Sequence, residues 1–354
     1  GYISFRRTQA RGGAAASFMA ARVHRLLRPA LFATGIVGAA LAALSIAGVP
    51  ADIIAVAGFR YSQPLWFLAV FLGCQALLPA LAMAHARKPL ITVASLVAAA
   101  LAVDALRAIT GFEWVGFLNL AFVWLALQQI GFFLADGTID GRSRRARAIA
   151  GASASITLVG AFTTGVYSPD LIANINPPTG ALLLVGVVHL SAVSLLRDRI
   201  DAFSRRPAPA ALAAFVNRRT MTIYLWHMPT LLAMAGICAM ASLGNGIALP
   251  EPSTLAWWVS RPLWLAAALT LTAAIAVAFT RVETQPSPPA ADSTRRIAIA
   301  AALGVASVVL LLVAGTTVLT AALAAGGMLL SQRLARRSHQ TAGGEGVADL
   351  VRVA

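Results

Sequence analysis

Charge is the scarcest ingredient of this sequence. Only 12% of its residues are charged, and Asp and Glu number 13 against 28 Lys and Arg. Soluble domains carry roughly 25% charged residues. A chain that is 59% hydrophobic, with a mean hydropathy of +0.78, is therefore excluded from folding around one aqueous core. Cysteine is nearly absent as well. Cys74 and Cys238 stand far apart inside apolar runs, which excludes a disulfide framework or thiolate metal cluster and leaves both as small core hydrophobes. There is no phosphate-cradling glycine loop, and no His, Cys, Asp or Glu set at metal-ligand spacing. Basic patches interleaved with aromatics are missing too, so the net charge of +15 does not point to nucleic acid.

What the chain does have is long apolar runs. About 20 apolar residues cross a bilayer core as a helix. Such runs fall near 27–48, 64–83, 89–107, 115–135, 147–166, 179–196, 219–241, 257–280 and 297–330. The fold class this predicts is all-α, a polytopic transmembrane helix bundle of about nine spans.

The connections support the count. Arg6, Arg7, Arg11, Arg22, Arg25 and Arg28 precede the first span; His85, Arg87 and Lys88 follow the second; Arg142, Arg144, Arg145 and Arg147 follow the fourth. Arg197, Arg199, Arg205, Arg206, Arg218 and Arg219 follow the sixth, and Arg281, Arg295 and Arg296 the eighth. The intervening loops carry almost no Lys or Arg. This alternation predicts a multi-pass protein of an inner membrane with its arginine clusters cytoplasmic, against anionic lipid headgroups.

The last run divides less clearly. Pro286-Ser287-Pro288-Pro289 opens a linker, 286–296, and sets off 297–332 as an appended piece. That piece is either one extra tilted span or a short hairpin turning at Gly315-Thr316-Thr317, and the basic residues Arg333, Arg336 and Arg337 that follow are better served by the hairpin. The tail, 333–354, is basic and then glycine-rich, and is expected to be disordered. The chain opens on Gly1-Tyr2-Ile3-Ser4-Phe5 and passes at once to Arg6-Arg7, which reads as the end of a span whose beginning is missing.

Polar residues inside a membrane are costly and often functional. Tyr224 and His227 are spaced i,i+3 and share a helix face, which Thr220 and Asn217 extend toward the basic side. They form either a polar seam or an interfacial aromatic beside a His satisfied by a backbone carbonyl. Arg22, Arg25 and Arg28 recur every third residue at the first span's entrance. They are either ordinary anchors or a fork for a phosphorylated ligand. Trp66 begins the second span, as belt aromatics do. Asn119, Trp124, Gln128 and Gln129 make the fourth span unusually polar, and His189 reads as a satisfied core imidazole. Asp104 and Arg107, also i,i+3, are expected to neutralise each other.

In order along the chain, these stretches resemble the membrane-bound acyltransferase-3 family. Gly1-Tyr2-Ile3 is similar to the end of its "SGF" segment, and Arg22 to Pro29 to its "R..R..P" segment. Leu65-Trp66-Phe67-Leu68 is similar to "LWFL", Ile223-Tyr224-Leu225-Trp226-His227 to "IYLWH", and Val282-Glu283 to the acidic close of the family's tenth span. The resemblance covers 1–285. It implies an integral membrane acyltransferase that moves an acyl group, commonly acetyl, from acyl-CoA to hydroxyls of envelope carbohydrates or secondary metabolites. The only cofactor implied is that donor, acyl-CoA, which is a substrate. It also implies ten spans, eight here and two upstream. The catalytic base expected in the family is a His of its first span; no residue of this chain matches it, and a chain lacking that span is expected to be inactive. By the same resemblance Arg22, Arg25 and Arg28 are candidates to bind the coenzyme A phosphates, and Trp66, Tyr224 and His227 to form a buried seam near the reaction centre. A transporter explains the spans and polar residues equally well, but predicts repeat symmetry and broken helices that the sequence does not display. A non-catalytic protein binding lipid or polymer is the other alternative.

Overall fold

The computed structural model describes residues 1–246 and 248–337. The protein is 81% helical, without strands among the described residues. Its helices are α1 (Tyr2–Ala10), α2 (Ala15–Ile46), α3 (Ala51–Ser62), α4 (Trp66–Arg87), α5 (Pro89–Thr110), α6 (Asn119–Ala135) and α7 (Arg144–Thr163). There follow α8 (Ala181–Leu195), α9 (Arg197–Ser204), α10 (Pro207–Asn245), α11 (Leu255–Ala278), α12 (Thr280–Thr284), α13 (Thr294–Ala314) and α14 (Val318–Ala335). Local chemistry sets several of the starts. Ser143, Thr254 and Ser293 each accept a hydrogen bond from a first-turn amide, Pro89 opens α5, and Thr317 and Thr320 cap α14 reciprocally.

Among the described residues, nine helical stretches are long and apolar enough to cross a bilayer. The membrane is thus crossed by many helices, and the chain is a multi-pass bundle. The nine are not one for one those of the hydropathy reading. The run near 179–196 becomes α8, only 15 residues and about 22 Å long, shorter than the roughly 30 Å hydrocarbon core. It qualifies only together with α9, from which it is bent by 69°. The run 297–330 becomes two helices. Gly315, at φ +71, takes a backbone conformation closed to most side chains, and α13 stops there.

The chain forms two compact units. The first comprises residues 1–12 and 66–220. Its core is Ala100, Val123, Ala126, Leu182 and Leu183, where α5, α6 and α8 meet. The second comprises residues 13–65 and 221 onward. There α2, α13 and α14 pack on one another around Val23, Leu27, Ala30, Ala300, Val308, Leu311, Ala324 and Met328, all buried. Gly38 faces Ala321, and Gly304 faces Leu27, with no room for a β-carbon. Small residues let apolar helices approach closely where lipid offers no hydrophobic drive. The piece 297–332 is therefore not peripheral: it is half of this unit's core.

Candidate functional site

The polar geometry of the second unit begins at a break. α10 carries a non-helical residue, Arg219, at φ −128 and ψ 16. The helix restarts beyond it, and a restarting helix exposes amides with no partner of their own. Glu283 of α12 supplies one. Its carboxylate accepts from the Met221 amide (3.0 Å), the Thr222 amide (2.9 Å) and the Thr222 hydroxyl (2.7 Å). A buried anion at a helix N-terminus is favoured both by these bonds and by the helix dipole.

One turn further on, the Tyr224 hydroxyl donates to the Pro64 carbonyl at 2.6 Å. His227 Nδ1 bonds the Tyr224 carbonyl. A carbonyl only accepts, so Nδ1 carries a proton in this bond and Nε2 points elsewhere. The two rings lie 6.0 Å apart, and both residues are half-buried. The seam thus contains Tyr224 and His227 but stops there. Because the helix is broken at Arg219, Asn217 and Thr220 do not extend its face; both are exposed and belong to the first unit. Trp66 also belongs to the first unit, where its ring lies 5.8 Å from Trp124.

Of the three arginines on α2, Arg22 covers the Phe18 ring at 4.9 Å, Arg25 is exposed, and Arg28 donates to the Gln285 carbonyl at 3.1 Å and the Pro286 carbonyl at 3.5 Å. None of them has a carboxylate partner among the described residues.

The first unit holds two polar constellations. Asp104 and Arg107 do not pair, contrary to their spacing. Asp104 accepts from Asn119 (2.8 Å), the Tyr167 hydroxyl (2.7 Å) and the Gly180 amide (2.7 Å), while Arg107 pairs with Glu113 at 2.5 Å. Buried donors outbid a helical neighbour for the Asp104 oxygens, and the loop carboxylate is free to meet Arg107. Burial, and then the bond to Asp104, push the Tyr167 phenol above its ordinary pKa. Asp104, Arg107, Glu113 and Tyr167 line a cavity of about 610 Å³ together with Ser168, Asn174 and Thr179.

The second constellation was read only as part of a basic loop. His85 is buried, and its Nε2 meets Asp136 at 2.9 Å while its Nδ1 meets the Gln129 amide at 2.7 Å. Burial works against the Asp136 carboxylate, but the bonds from His85 and Thr138 prevail and hold it below its usual range. Tyr2, Phe132 and Phe133 enclose the imidazole. His189 is satisfied, by the Val185 carbonyl at 2.8 Å, but it is exposed and not in the core. Gln128 ties α6 to α4 through the Cys74 carbonyl at 3.2 Å.

The fold is a multi-pass helical bundle with polar groups buried among its helices. Residues 1–281 match the family profile described as an acyltransferase domain, the acyltransferase-3 family, and the chain belongs to that family. Neither the comparison with curated proteins nor that with solved structures gives a match. The profile takes in Trp66, Tyr224, His227 and the three arginines, and ends two residues before Glu283.

Proposed function

We propose that the protein is an inner-membrane O-acyltransferase of bacterial type, moving an acyl group, acetyl first among candidates, from acyl-CoA to a hydroxyl of an envelope carbohydrate or secondary metabolite. The observation that carries this reading is the row Arg22, Arg25 and Arg28, without carboxylate partners among the described residues, inside an acyltransferase-3 domain. Coenzyme A presents a pyrophosphate and a phosphate monoester, and forked guanidiniums match both. The face bearing the arginine clusters is the cytoplasmic, donor face.

In the reaction the acceptor oxygen bonds to the thioester carbonyl carbon, the carbon–sulfur bond breaks, and coenzyme A leaves as the thiol after taking up a proton. The acceptor's own proton passes to a base. At the seam, His227 uses Nδ1 toward the Tyr224 carbonyl, which leaves Nε2 as the ring atom to meet a substrate hydroxyl. Asp104, Arg107, Glu113 and Asn174, which line the first unit's cavity beside loops poor in Lys and Arg, suit a hydroxyl-rich acceptor. The length of the acyl group and the identity of the acceptor are left to experiment.

Two measurements test the reading. Purified protein in nanodiscs should bind acetyl-CoA, and the Arg25→Ala/Arg28→Ala pair should weaken that binding at least tenfold, the equivalent of about 1.4 kcal/mol. Membranes from cells expressing the native gene product should transfer labelled acetyl groups, and His227→Ala should abolish transfer without loss of the folded protein. Unchanged affinity in the arginine pair removes the donor site, and failure to consume acyl-CoA with any acceptor removes the enzyme.

A further inference from the structure

Where α14 packs on α2, the second unit buries polar groups that find no partner among the described residues. His24 is 1% exposed and Gln332 is 4% exposed. Among the described residues, neither ring nitrogen of His24 finds a hydrogen-bond partner, nor does the amide nitrogen of Gln332. The Gln332 side chain approaches the imidazole without reaching hydrogen-bond geometry. Each buried polar atom left unpaired costs about 1–3 kcal/mol. Three at one place, in a helix pair otherwise packed with alanine, leucine and methionine, call for an explanation.

Two cations stand beside them. Arg28, on α2, and Arg336, just past the end of α14, both act electrostatically on the His24 ring, and Arg336 acts on Arg28 as well. Like charges that act on one another repel unless something negative offsets them. Nothing in the described residues does: neither pairs with a carboxylate, and Arg28 meets only the neutral carbonyls of Gln285 and Pro286. The acids of the neighbouring segments are engaged, Asp292 with Arg337 at 3.3 Å and Glu283 with Met221 and Thr222. The cluster thus offers two uncompensated positive charges over unused imidazole and amide groups. Arg336 is exposed and Arg28 half-buried, while His24 and Gln332 are buried, so an anion reaches the arginines first.

We propose that α2 and α14 together form a phosphate-binding site, in which Arg28 and Arg336 neutralise a phosphate monoester while His24 and Gln332 donate hydrogen bonds to its oxygens. A monoester carries a charge between −1.5 and −2 at neutral pH and three terminal oxygens, enough for two guanidiniums and two neutral donors; a diester has one charge and two such oxygens. Two molecules present this group to a membrane enzyme: coenzyme A, through its ribose 3′-phosphate, and a lipid of the phosphatidic acid type. The first source rests on the acyl-CoA reading above; the second does not. Gln332 and Arg336 lie beyond the matched acyltransferase domain, so the C-terminal hairpin contributes ligand contacts that the domain alone lacks.

The test uses the whole chain in nanodiscs of neutral phosphatidylcholine, titrated calorimetrically with coenzyme A and with dephospho-coenzyme A, which lacks only the 3′-phosphate. Wild type is compared with Arg336→Gln and Gln332→Leu. Arg336 is exposed, so its variant keeps the fold whatever Gln332→Leu does to packing. A charge-assisted contact of about 1.5 kcal/mol or more predicts that wild type binds coenzyme A at least tenfold more tightly than the dephospho form. Arg336→Gln should reduce this preference to about twofold and leave dephospho-coenzyme A affinity unchanged. A second arm adds phosphatidic acid to the nanodiscs and counts retained lipids by native mass spectrometry. If wild type ignores coenzyme A yet retains phosphatidic acid through Arg336, the phosphate site stands with a lipid in it and the donor reading falls. If wild type binds coenzyme A but Arg336→Gln alters neither the preference nor lipid retention, the site is overturned and the donor reading stands. Equal weakening of both coenzyme forms by Arg336→Gln also overturns it, because the contact would then not be to the monoester.

Discussion

Replacing Glu283 with alanine should loosen the second unit more than any other single change at its candidate site. The carboxylate is 7% exposed and accepts three hydrogen bonds, from two amides and one hydroxyl at the restart of α10. A hydrogen bond to a charged group is worth roughly 1.5–3 kcal/mol. The three share one acceptor, so their sum overstates the total, and a loss of about 4 kcal/mol is expected once both amides are left buried and unpaired. For a chain of this size that corresponds to a fall of about 8 °C in the unfolding midpoint, at roughly 2 °C per kcal/mol. Glu283→Gln keeps one acceptor oxygen, turns the other into a donor facing amides, and should lose about half as much. Thermal unfolding in detergent gives the global effect. Hydrogen exchange gives the local one: the amides of Met221 and Thr222 should lose protection about 100-fold or more, while α5 and α6 are unchanged. A midpoint within about 1 °C of wild type, with protection at Met221 and Thr222 intact, would refute the idea that Glu283 holds the restarted helix.

Two further changes test the cores. Gly58→Ala places a β-carbon against the Thr316 carbonyl, where no space exists, and should destabilise the second unit by about 1–3 kcal/mol as overpacking does; a thermal midpoint equal to wild type would contradict the close approach of α3 to the α13–α14 turn. Tyr167→Phe tests the first unit through pH. Because the native phenol pKa is raised, the unfolded chain loses that proton first, near pH 10. The stabilisation is therefore complete below about pH 10 and declines as pH rises toward the native value. Midpoints recorded from pH 8 to 11 should fall less steeply in Tyr167→Phe, and parallel curves would show that Tyr167 does not donate to Asp104.

The spans were legible because a run of about 20 apolar residues has few alternatives in water or lipid. The partners of the polar residues were not, because spacing reports only neighbours on one helix. Asp104 and Arg107 satisfy the i,i+3 rule, yet Asp104 turns to Asn119, Tyr167 and Gly180, up to 76 residues away. His85 sits in a basic cluster and reads as one more cation, while its partners Gln129 and Asp136 lie 44 and 51 residues downstream. The break at Arg219 has no local signal either, since neither Gly nor Pro stands within the run 217–228. Its anchor, Glu283, lies 62 residues from Met221. The residue pair Tyr224 and His227 was legible, being a true i,i+3 pair on an unbroken helix; its extension to Thr220 and Asn217 was lost to the break. Of the tail expected to be disordered over 333–354, Arg333 to Ala335 instead close α14, and residues 338–354 lie outside the described residues.

The boundary of the matched domain is not a boundary of packing. The family profile ends at residue 281, yet α2, which carries the three arginines, is covered by α13 and α14 from beyond that point. The fit is close along the helix: Leu27 fills the space above Gly304, Gly38 admits Ala321, and on the hairpin itself the Ser331 hydroxyl bonds the Ala300 carbonyl at 2.6 Å. Ser62 of α3 is joined to Thr316 at the hairpin turn by a 2.7 Å hydroxyl bond. Remove the hairpin, and Val23, Leu27, Ala30 and Ala33, now at most 1% exposed, lose their cover together. Lipid can replace apolar cover, but it cannot replace the Thr316 hydroxyl that Ser62 meets. The polar contacts, more than the apolar area, therefore make α13 and α14 part of the arginine-bearing unit, and they explain why a segment outside the acyltransferase domain shapes the ground on which its donor site is proposed to stand.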